Sequence, residues 1–444
     1  MIKKIVQFFA PLPDKGELVD DEKKLKRLQW SFFISATLGY GLYYVVRMSL
    51  NVVKKPLVDG GVLTEQELGL VGSALFFTYA IGKLVNGFLG DRVNITRFMA
   101  FGLIVSSLIN ITLGFSHSFW VFVILWGING WVQSMGAPSS VVGLSRWYTD
   151  KERGSYYGFW SASHNIGEAI TFIATAAVVS ISGWRWGFGA AGIAGLIGAL
   201  IILLFMKDSP TSQGLNSVMP LKDRAKSAGK AQKEALMNPY IWILALSSAC
   251  MYVSRYAINS WGIFFLENQK VYSSVEASSI VAVNSVCGII GTVLSGYLSD
   301  KLFKGNRVTP AVLFGILNTI AIALFVLVPK GYYYIDILSM ILFGLSIGVL
   351  ICFLGGLMAT DIAPKRASGA ALGIVGIASY IGAGVQDILS GQLIGDSKIM
   401  NGSVAVYDFS TIQYFWIGAA ALSVVFCAML WTAKKKQDHT IVEV

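Results

Sequence analysis

Twelve apolar runs, each close to the length that crosses a lipid bilayer, dominate this chain of 444 residues. A hydrocarbon core about 30 Å thick needs roughly 20 apolar residues in a helix. With 55% hydrophobic residues, 14% charged residues and a mean hydropathy of +0.62, the chain is too apolar for a soluble protein of this length. The sequence therefore predicts an all-α membrane protein with twelve transmembrane helices. The predicted spans, numbered 1 to 12 in chain order, cover about residues 29–53, 68–90, 98–116, 118–142, 154–180, 184–206, 239–268, 276–299, 309–328, 333–360, 368–395 and 412–432.

Lysine and arginine are distributed unevenly between alternate loops. Of the 35 basic residues, 26 fall in segments on the side of the N-terminus and only 6 in loops on the opposite side. By the positive-inside rule, both termini are expected on the cytoplasmic side of the membrane. The membrane itself is expected to be a plasma membrane, such as the bacterial inner membrane. The same asymmetry accounts for the net charge of +10, so we expect no nucleic-acid partner. The six residues counted to the outer side are Lys54, Lys55, Arg185, Lys270, Lys330 and Lys398.

The two halves of the chain repeat one another. The stretch "GFLGDRVNITR" after span 2 recurs as "GYLSDKLFKGNR" after span 8, 209 residues later. "RGSYYG" at the start of span 5 is echoed by "ASGAALG" at the start of span 11. Consistent offsets predict two pseudo-symmetric six-helix bundles, an arrangement in which transporters place the substrate between the halves near mid-membrane. The predicted organisation is a cytoplasmic segment 1–28, a first bundle 29–206, a polar cytoplasmic linker 207–238, a second bundle 239–432 and a cytoplasmic tail 433–444.

Arg47 and Arg255 occupy equivalent places in the two halves, 208 residues apart, inside apolar spans. Each shares a helix face with tyrosines, since residues three, four and seven positions apart lie on one side of a helix. Arginine offers a planar fork of donors that fits phosphate oxygens, so two of them in a duplicated scaffold predict an anion site. The alternative is that both snorkel to a membrane interface. The residues on the two faces are Tyr40, Tyr43, Tyr44 and Arg47 in span 1, and Tyr252, Arg255, Tyr256 and Asn259 in span 7.

Several stretches resemble the organophosphate:phosphate antiporter family of the major facilitator superfamily. The G-x-L-x-D-[RK] loops in both halves resemble the signature of the superfamily, whereas the arginine pair together with "SHNIG" is a much more specific match to the family. The resemblance runs from about residue 25 to 432. The matching stretches are "GYGLYYVVR", "YAIGKLVNGFLGDR", "RWYTDKERGSYYGFWSASHNIG", "DSPTSQGL", "YVSRYAINSW" and "SGYLSDKLFKGNR".

The resemblance implies the major facilitator fold and a secondary active transporter. Such a protein exchanges an organic phosphate, either a sugar phosphate or glycerol 3-phosphate, for inorganic phosphate by alternating access. It is expected to be a monomer in the lipid bilayer, to need no cofactor or metal, and not to be an enzyme. The four cysteines lie in apolar spans without metal-ligand spacing, in agreement with this expectation.

The family also implies roles for individual residues. Its two matching arginines bind the phosphate from opposite halves, and Lys83 and His164 match a lysine and a histidine at the binding site. A lone histidine would otherwise be read as a packing residue. Tyr79 and Trp160 lie one turn before Lys83 and His164 and are expected to line the same site. The predicted substrate-binding residues are Arg47, Arg255, Lys83, His164, Tyr40, Tyr44, Tyr79, Trp160 and Tyr252.

The chain departs from the family pattern at three charged positions. The family often has a lysine directly after the span 1 arginine, an acid directly before the tryptophan of span 7, and another acid in span 8. Here these places hold Met48, Ser260 and Ser285. A cation and two acids are therefore missing together.

Two carboxylates appear instead inside other spans, Glu168 in span 5 and Asp387 in span 11. Uncompensated carboxylates are costly in hydrocarbon, so both are expected to face the predicted cavity. They are interpreted either as charge compensation for the cavity cations or as groups that couple to protons or contact substrate hydroxyls.

The repeated loops hold a further prediction. Asp91 with Arg92, and Asp300 with Lys301, are predicted to latch the cytoplasmic side, although a structural role is an equal alternative.

Two rival functions remain open. One is a transporter-like sensor of external sugar phosphate. The other is a proton symporter of an uncharged sugar or a drug, which the intramembrane acids would favour.

Overall fold

The protein is described by a computed structural model that covers residues 7–13, 18–90, 92–218, 236–303, 306–363, 368–402 and 404–431. It is almost entirely helical in these segments. The α-helices are α1 (Glu22–Asp59), α2 (Glu65–Gly90), α3 (Ile95–Leu113), α4 (Phe119–Gln133), α5 (Gly136–Trp147), α6 (Asp150–Ser182), α7 (Trp184–Phe205), α8 (Pro239–Gln269), α9 (Ser274–Tyr297), α10 (Val308–Leu327), α11 (Tyr333–Cys352), α12 (Met358–Ile362), α13 (Ser368–Asp396) and α14 (Ser410–Met429). Short π-helical turns follow α9 (Leu298–Leu302) and α11 (Phe353–Leu357), and a 3₁₀ turn (Thr211–Gln213) follows α7.

Ten helical segments in the described chain are long and apolar enough to cross a membrane. The other two predicted spans correspond to α1, which begins with the charged run "EKKLKR", and to α4 together with α5. Span 4 is divided at Ser134 and Met135. Their backbone N–H groups donate to the carbonyl oxygens three residues earlier, not four residues earlier as in an α-helix. Pro138 explains the division, because its ring displaces the carbonyl four residues earlier, at Ser134. The twelve-helix membrane fold predicted from the sequence is thus confirmed.

The backbone separates into two compact units. The first comprises residues 1–56 and 77–224, and the second comprises residues 57–76 and 225–444. Helix α2 accordingly begins in the second unit and continues into the first. The boundaries of the predicted linker and tail remain predictions, because residues 219–235 and 432–444 lie outside the described residues.

Within each unit, one pair of helices is packed closely at a glycine, and the two glycines occupy equivalent places in the repeat. In the first unit, a Cβ added to Gly167 of α6 would come within 2.2 Å of the carbonyl oxygen of Gly41 in α1. In the second unit, a Cβ added to Gly382 of α13 would come within 2.6 Å of the carbonyl oxygen of Ala249 in α8. Small residues permit such backbone contacts between membrane helices. The same helix pair is therefore packed in the same way in both halves of the repeat.

A two-stranded antiparallel hairpin, β1 (Lys398–Asn401) and β2 (Val404–Tyr407), follows α13 and was not predicted. Its turn contains Gly402 with φ of +64°, a conformation that favours glycine. Lys398 and Tyr407 face each other across the hairpin, and both contact the Glu65 carboxylate at the start of α2, Lys398 at 2.9 Å and Tyr407 at 2.5 Å. The "NG" dipeptide at 401–402 is the sequence signal that could have identified this turn.

Two lysines counted to the outer loops are buried in the structure. Lys54 is 0% exposed and lies within α1, as Lys55 does, so the prediction that places Lys54 and Lys55 in a loop is wrong. Lys270 directly follows α8 and is paired with Asp336 of α11. These two positions add little to the charge asymmetry, because a buried lysine is not a loop charge at the membrane surface.

Candidate functional site

Arg47 forms the centre of an aromatic cluster in the first unit. Its guanidinium carbon lies 4.4 Å from the ring centroid of Tyr79 and 5.6 Å from that of Tyr44. Tyr44 precedes Arg47 by three positions on α1, so both lie on one helix face, whereas Tyr79 comes from α2. These distances lie within the range of cation–π attraction, which holds the guanidinium without neutralising its charge.

Helix α6 contributes Trp160 and His164 to the same cluster. The Trp160 ring lies 4.7 Å from the ring of Tyr40, and the His164 ring lies 5.4 Å from that of Tyr44. His164 Nδ1 contacts the carbonyl oxygen of Ser161, which can only accept, so the Nδ1 carries a proton. The indole Nε1–H of Trp160 is buried and has no hydrogen-bond partner among the described residues. The cluster thus contains a buried donor that no described residue satisfies.

Tyr43 lies at the edge of this cluster, with its ring centroid 6.4 Å from that of Tyr40. Its hydroxyl donates to the carbonyl oxygen of Met99 in α3 at 2.6 Å, and 1% of the residue is exposed. The ring of Tyr40, one turn earlier on α1, contacts the rings of both Tyr43 and Tyr44, whereas the Tyr43 hydroxyl points to α3. Tyr43 therefore packs α1 against α3.

Arg255 is surrounded by aromatic rings in the second unit. Its guanidinium carbon lies 5.9 Å from the ring centroid of Tyr252 and 5.5 Å from that of Tyr256. Tyr380 of α13 packs on Tyr252 at 5.4 Å, and Phe76 of α2 packs on Tyr256 at 4.4 Å. Sequence reasoning missed Tyr380 and Phe76, because no periodicity within one helix links them to Arg255.

Both arginines are buried rather than extended to an interface. Arg47 is 4% exposed and Arg255 is 5% exposed. A snorkelling arginine would place its charged end in water. The burial and the aromatic contacts exclude that alternative for the two side chains in this structure.

The Asp387 carboxylate of α13 is hydrogen-bonded to two neighbouring residues of α8. Its Oδ1 accepts hydrogen bonds from the Ser260 hydroxyl at 2.6 Å and from the Trp261 indole N–H at 2.7 Å, and 1% of the residue is exposed. Its Oδ2 faces Gly72, where an added Cβ would come within 1.8 Å. The Asp387 carboxylate of α13 therefore contacts α8 at Ser260 and Trp261.

The remaining predicted residues are placed differently. Glu168 is 1% exposed and follows Gly167, where α6 meets α1. Lys83 has an exposed side chain, one turn after Tyr79 on α2. Of the charges predicted for the site, the buried ones are thus two cations and two anions. The expected excess of positive charge depends on Lys83 and on protonation of His164.

The cytoplasmic loops are only partly described. Arg92 and Lys301 are exposed, and the Lys301 ammonium lies 5.7 Å from the ring of Tyr297. Asp91 and the side chain of Asp300 lie outside the described residues. The latch predicted for these loops stays a prediction.

Guanidinium, phenol, indole and imidazole groups make these clusters suitable for an oxyanion. Within the described segments, no group of three histidine, cysteine or acidic residues could hold a metal ion. The charged and polar donors are those that recognise phosphate oxygens.

Comparison with known proteins gives the same family. Residues 36–386 match the family model of the Major Facilitator Superfamily. The membrane sensor protein UhpC of Salmonella typhimurium is 32% identical over 84% of this chain and 88% of its own length. A probable hexose phosphate transport protein of Chlamydia pneumoniae is 33% identical over 98% of both chains. The glycerol-3-phosphate transporter of Bacillus subtilis is 31% identical over 98% of this chain and 100% of its own.

Solved structures agree on the fold. A bacterial homologue of the human lysosomal transporter Spinster matches with a TM-score of 0.69 at 19% identity, over 92% of this chain and 96% of its own. The nucleoside transporter NupG matches with a TM-score of 0.71 at 15% identity, over 90% of this chain and 99% of its own. The relatives are transport proteins and a membrane sensor rather than enzymes. The chain is therefore a multi-pass membrane protein of the Major Facilitator Superfamily, and within it belongs to the organophosphate:phosphate antiporter family.

Proposed function

We propose that the protein exchanges an organic phosphate, a sugar phosphate or glycerol 3-phosphate, for inorganic phosphate by alternating access. The observation that carries this proposal is the repeated arginine–tyrosine cluster, with Arg47 on Tyr44 and Tyr79 and Arg255 on Tyr252 and Tyr256. Each cluster offers a guanidinium in a nearly water-free setting, where contacts to an anion are stronger than in water.

Phosphate fits these clusters better than a neutral ligand does. A phosphate monoester carries nearly two negative charges near neutral pH, and an arginine fork contacts two of its oxygens at once. The sugar or glycerol part is then free to contact the aromatic and polar groups, among them the unpartnered indole N–H of Trp160. Phosphate recognition by both arginines and discrimination of the organic part by other residues are separate tasks in this proposal.

The exchange step follows from electrostatics. An unloaded site that keeps more positive than negative charge prefers hydration, so closing it costs free energy that a bound phosphate offsets. The site cations proposed here are Arg47, Arg255 and Lys83, against the acids Glu168 and Asp387. The carrier then changes its exposed side readily only when loaded. We include in the proposal a monomeric protein with both termini in the cytoplasm.

The experiment is uptake of labelled inorganic phosphate into proteoliposomes with and without phosphate inside. Rapid uptake only into preloaded vesicles, inhibited by one organic phosphate of a panel, is the expected result. Equally fast accumulation by empty vesicles under a proton gradient would replace the proposal with proton symport. The panel identifies the organic substrate.

A sensor is the second candidate, because the relatives include a membrane sensor protein at 32% identity over 84% of this chain. A sensor would bind a sugar phosphate without transporting it. Saturable binding of glucose 6-phosphate to purified protein, together with no uptake into either kind of vesicle, would select this function.

A further inference from the structure

A buried asparagine of α3 bonds the backbone directly beside Arg47. The Nδ2 of Asn110 donates to the carbonyl oxygen of Val46 at 2.7 Å and to that of Ser106 at 2.9 Å. Its Oδ1 accepts from the Ser49 hydroxyl at 2.6 Å. Asn110 is 0% exposed. The amide thus ties α3 to α1 on both sides of Arg47 in the sequence.

A second buried asparagine makes the corresponding contact beside Arg255. The Nδ2 of Asn318 in α10 donates to the Ser254 hydroxyl at 3.1 Å, and this hydroxyl donates to the carbonyl oxygen of Met251 at 2.9 Å. Asn318 is 1% exposed. Ser254 directly precedes Arg255 on α8, as Val46 directly precedes Arg47 on α1.

The two contacts are related by the internal repeat. Asn318 follows Asn110 by 208 residues, the same separation as between the two arginines. The counterpart of Ser49 is Ala257, which has no hydroxyl, and Asn318 Oδ1 has no hydrogen-bond partner among the described residues. The contact common to both halves is therefore a hydrogen bond from the asparagine amide to the residue directly before the arginine.

A buried amide is costly unless it is hydrogen-bonded, so its retention at both places needs a physical reason. A helix that rotates about its axis carries its side chains with it, and a two-point arginine contact tolerates only small errors in position. A donor fixed on a neighbouring helix resists that rotation at the residue next to the arginine. In the first unit, Asn129 adds a longer contact to the same Val46 carbonyl, at 3.4 Å.

We propose that Asn110 and Asn318 are positioning residues that hold α1 and α8 in the rotation at which Arg47 and Arg255 meet the phosphate. The role in phosphate binding rests on the function proposed above. The asparagines themselves are buried behind the arginine helices and act through them.

The first test compares Asn110→Leu and Asn318→Leu with Asn86→Leu. Asn86 is also 0% exposed and joins α2 to α4, through the Trp131 carbonyl oxygen at 3.2 Å, but it is not next to a site arginine. All three variants should lose thermal stability in detergent. Only the first two should bind inorganic phosphate more weakly, by about three- to tenfold, the range expected for one hydrogen bond. Equal phosphate affinity in all three variants would overturn the proposal.

A double-mutant cycle tests the specific contact in the second unit. Ser254→Ala removes the acceptor and Asn318→Leu removes the donor of the same hydrogen bond. Their effects on phosphate affinity should therefore be strongly non-additive, with the double variant close to the weaker single variant. If the fold-change in phosphate affinity of the double variant equals the product of the two single fold-changes, Asn318 does not act through its hydrogen bond to Ser254, and the proposal is contradicted.

A measurement without phosphate separates this inference from the proposed function. Phenylglyoxal modifies exposed guanidinium groups, and the modification of Arg47 can be followed by mass spectrometry. Asn110→Leu should raise the rate at Arg47 several-fold over wild type, whereas Asn86→Leu should leave it unchanged. Unchanged labelling in Asn110→Leu would overturn the positioning role, even if the wild-type protein exchanges phosphate. Raised labelling in a protein that binds no phosphate would keep the positioning role and reject the proposed function.

Discussion

Asp387 accepts a hydrogen bond from Ser260, with 2.6 Å between the carboxylate Oδ1 and the serine hydroxyl oxygen. Ser260 stands directly before Trp261, where the family resemblance of the sequence predicts an acid. The carboxylate at this place in the second unit is carried by α13 and not by α8. This relationship gives a direct test of whether the charge or the residue position matters.

An exchange of the two side chains should preserve function. Ser260→Asp alone would put two carboxylates side by side at positions that are 2% and 1% exposed. It should destabilise the protein by a few kcal/mol, since repulsion at an effective dielectric of 20 is about 4 kcal/mol at 4 Å. The double variant Ser260→Asp/Asp387→Ser should recover stability and phosphate exchange, measured in detergent and in proteoliposomes. Ser260→Asn controls for size, and a double variant no better than Ser260→Asp would refute the exchange.

The predicted arginine pair gives the second prediction. Arg47→Lys and Arg255→Lys should each reduce phosphate exchange by about 100-fold, because lysine keeps the charge but loses the planar fork and its stacking on tyrosine. Folding should be retained, as judged by gel filtration and thermal unfolding. Arg97→Lys, outside the proposed site, should exchange normally. Near-normal exchange by either site variant would remove that arginine from the phosphate site.

The fold and the two cluster centres could be predicted from the sequence for physical reasons. Charge inside an apolar span is rare enough that Arg47 and Arg255 stand out, and their equal place in a repeat singles them out further. Residues one turn apart, such as Trp160 and His164, necessarily share a helix face. Tyr44, three positions before Arg47, accordingly lies 5.6 Å from its guanidinium carbon.

Contacts between helices could not be predicted in this way. The packing of Tyr380 on Tyr252 depends on how closely α13 approaches α8, which is set at Gly382. The exposure of Lys83 depends on how α2 is rotated, and a periodicity count does not fix that rotation. The contact between Asp387 and Ser260 needed coordinates, because the two residues are far apart in the chain.

Glu168 gives a third prediction. If it is a counter-charge for the site cations, Glu168→Gln should tighten inorganic phosphate binding several-fold and lower the maximal exchange rate, because phosphate leaves a more positive site more slowly. Binding and exchange are measured on the same preparation across pH. Glu152→Gln is the matched control, because Glu152 lies on the same helix and is exposed.

Two other results would each give Glu168 a different role. Weaker binding of the organic phosphate with unchanged binding of inorganic phosphate would make the carboxylate a ligand of substrate hydroxyls. A lost pH response with unchanged affinity would make it a proton-coupling group.

A buried ion pair outside the proposed site joins the end of α8 to the start of α11. The ammonium of Lys270 contacts the carboxylate of Asp336, and the Tyr272 hydroxyl donates to the same carboxylate at 2.9 Å. The side chains of Lys270 and Asp336 are 1% and 0% exposed. Burial lowers the pKa of Lys270, and the neighbouring Asp336 opposes this shift. Each buried charge is thus compensated by its partner, and either one alone would be costly to bury.

Removing one partner should therefore cost more than removing both. Asp336→Asn should destabilise the protein by about 3 to 5 kcal/mol, because it leaves a buried ammonium without its carboxylate. The pKa of Lys270 should then fall further below 10.5, so the stability of this variant should rise as the pH is raised from 7 towards that value, where the unfolded chain still binds the proton. Lys270→Met/Asp336→Asn should recover most of the lost stability and lose this pH dependence, as followed by unfolding in detergent with increasing dodecyl sulfate. If the double variant is as unstable as Asp336→Asn, packing around Asp336 and not the ion pair holds the two helices together.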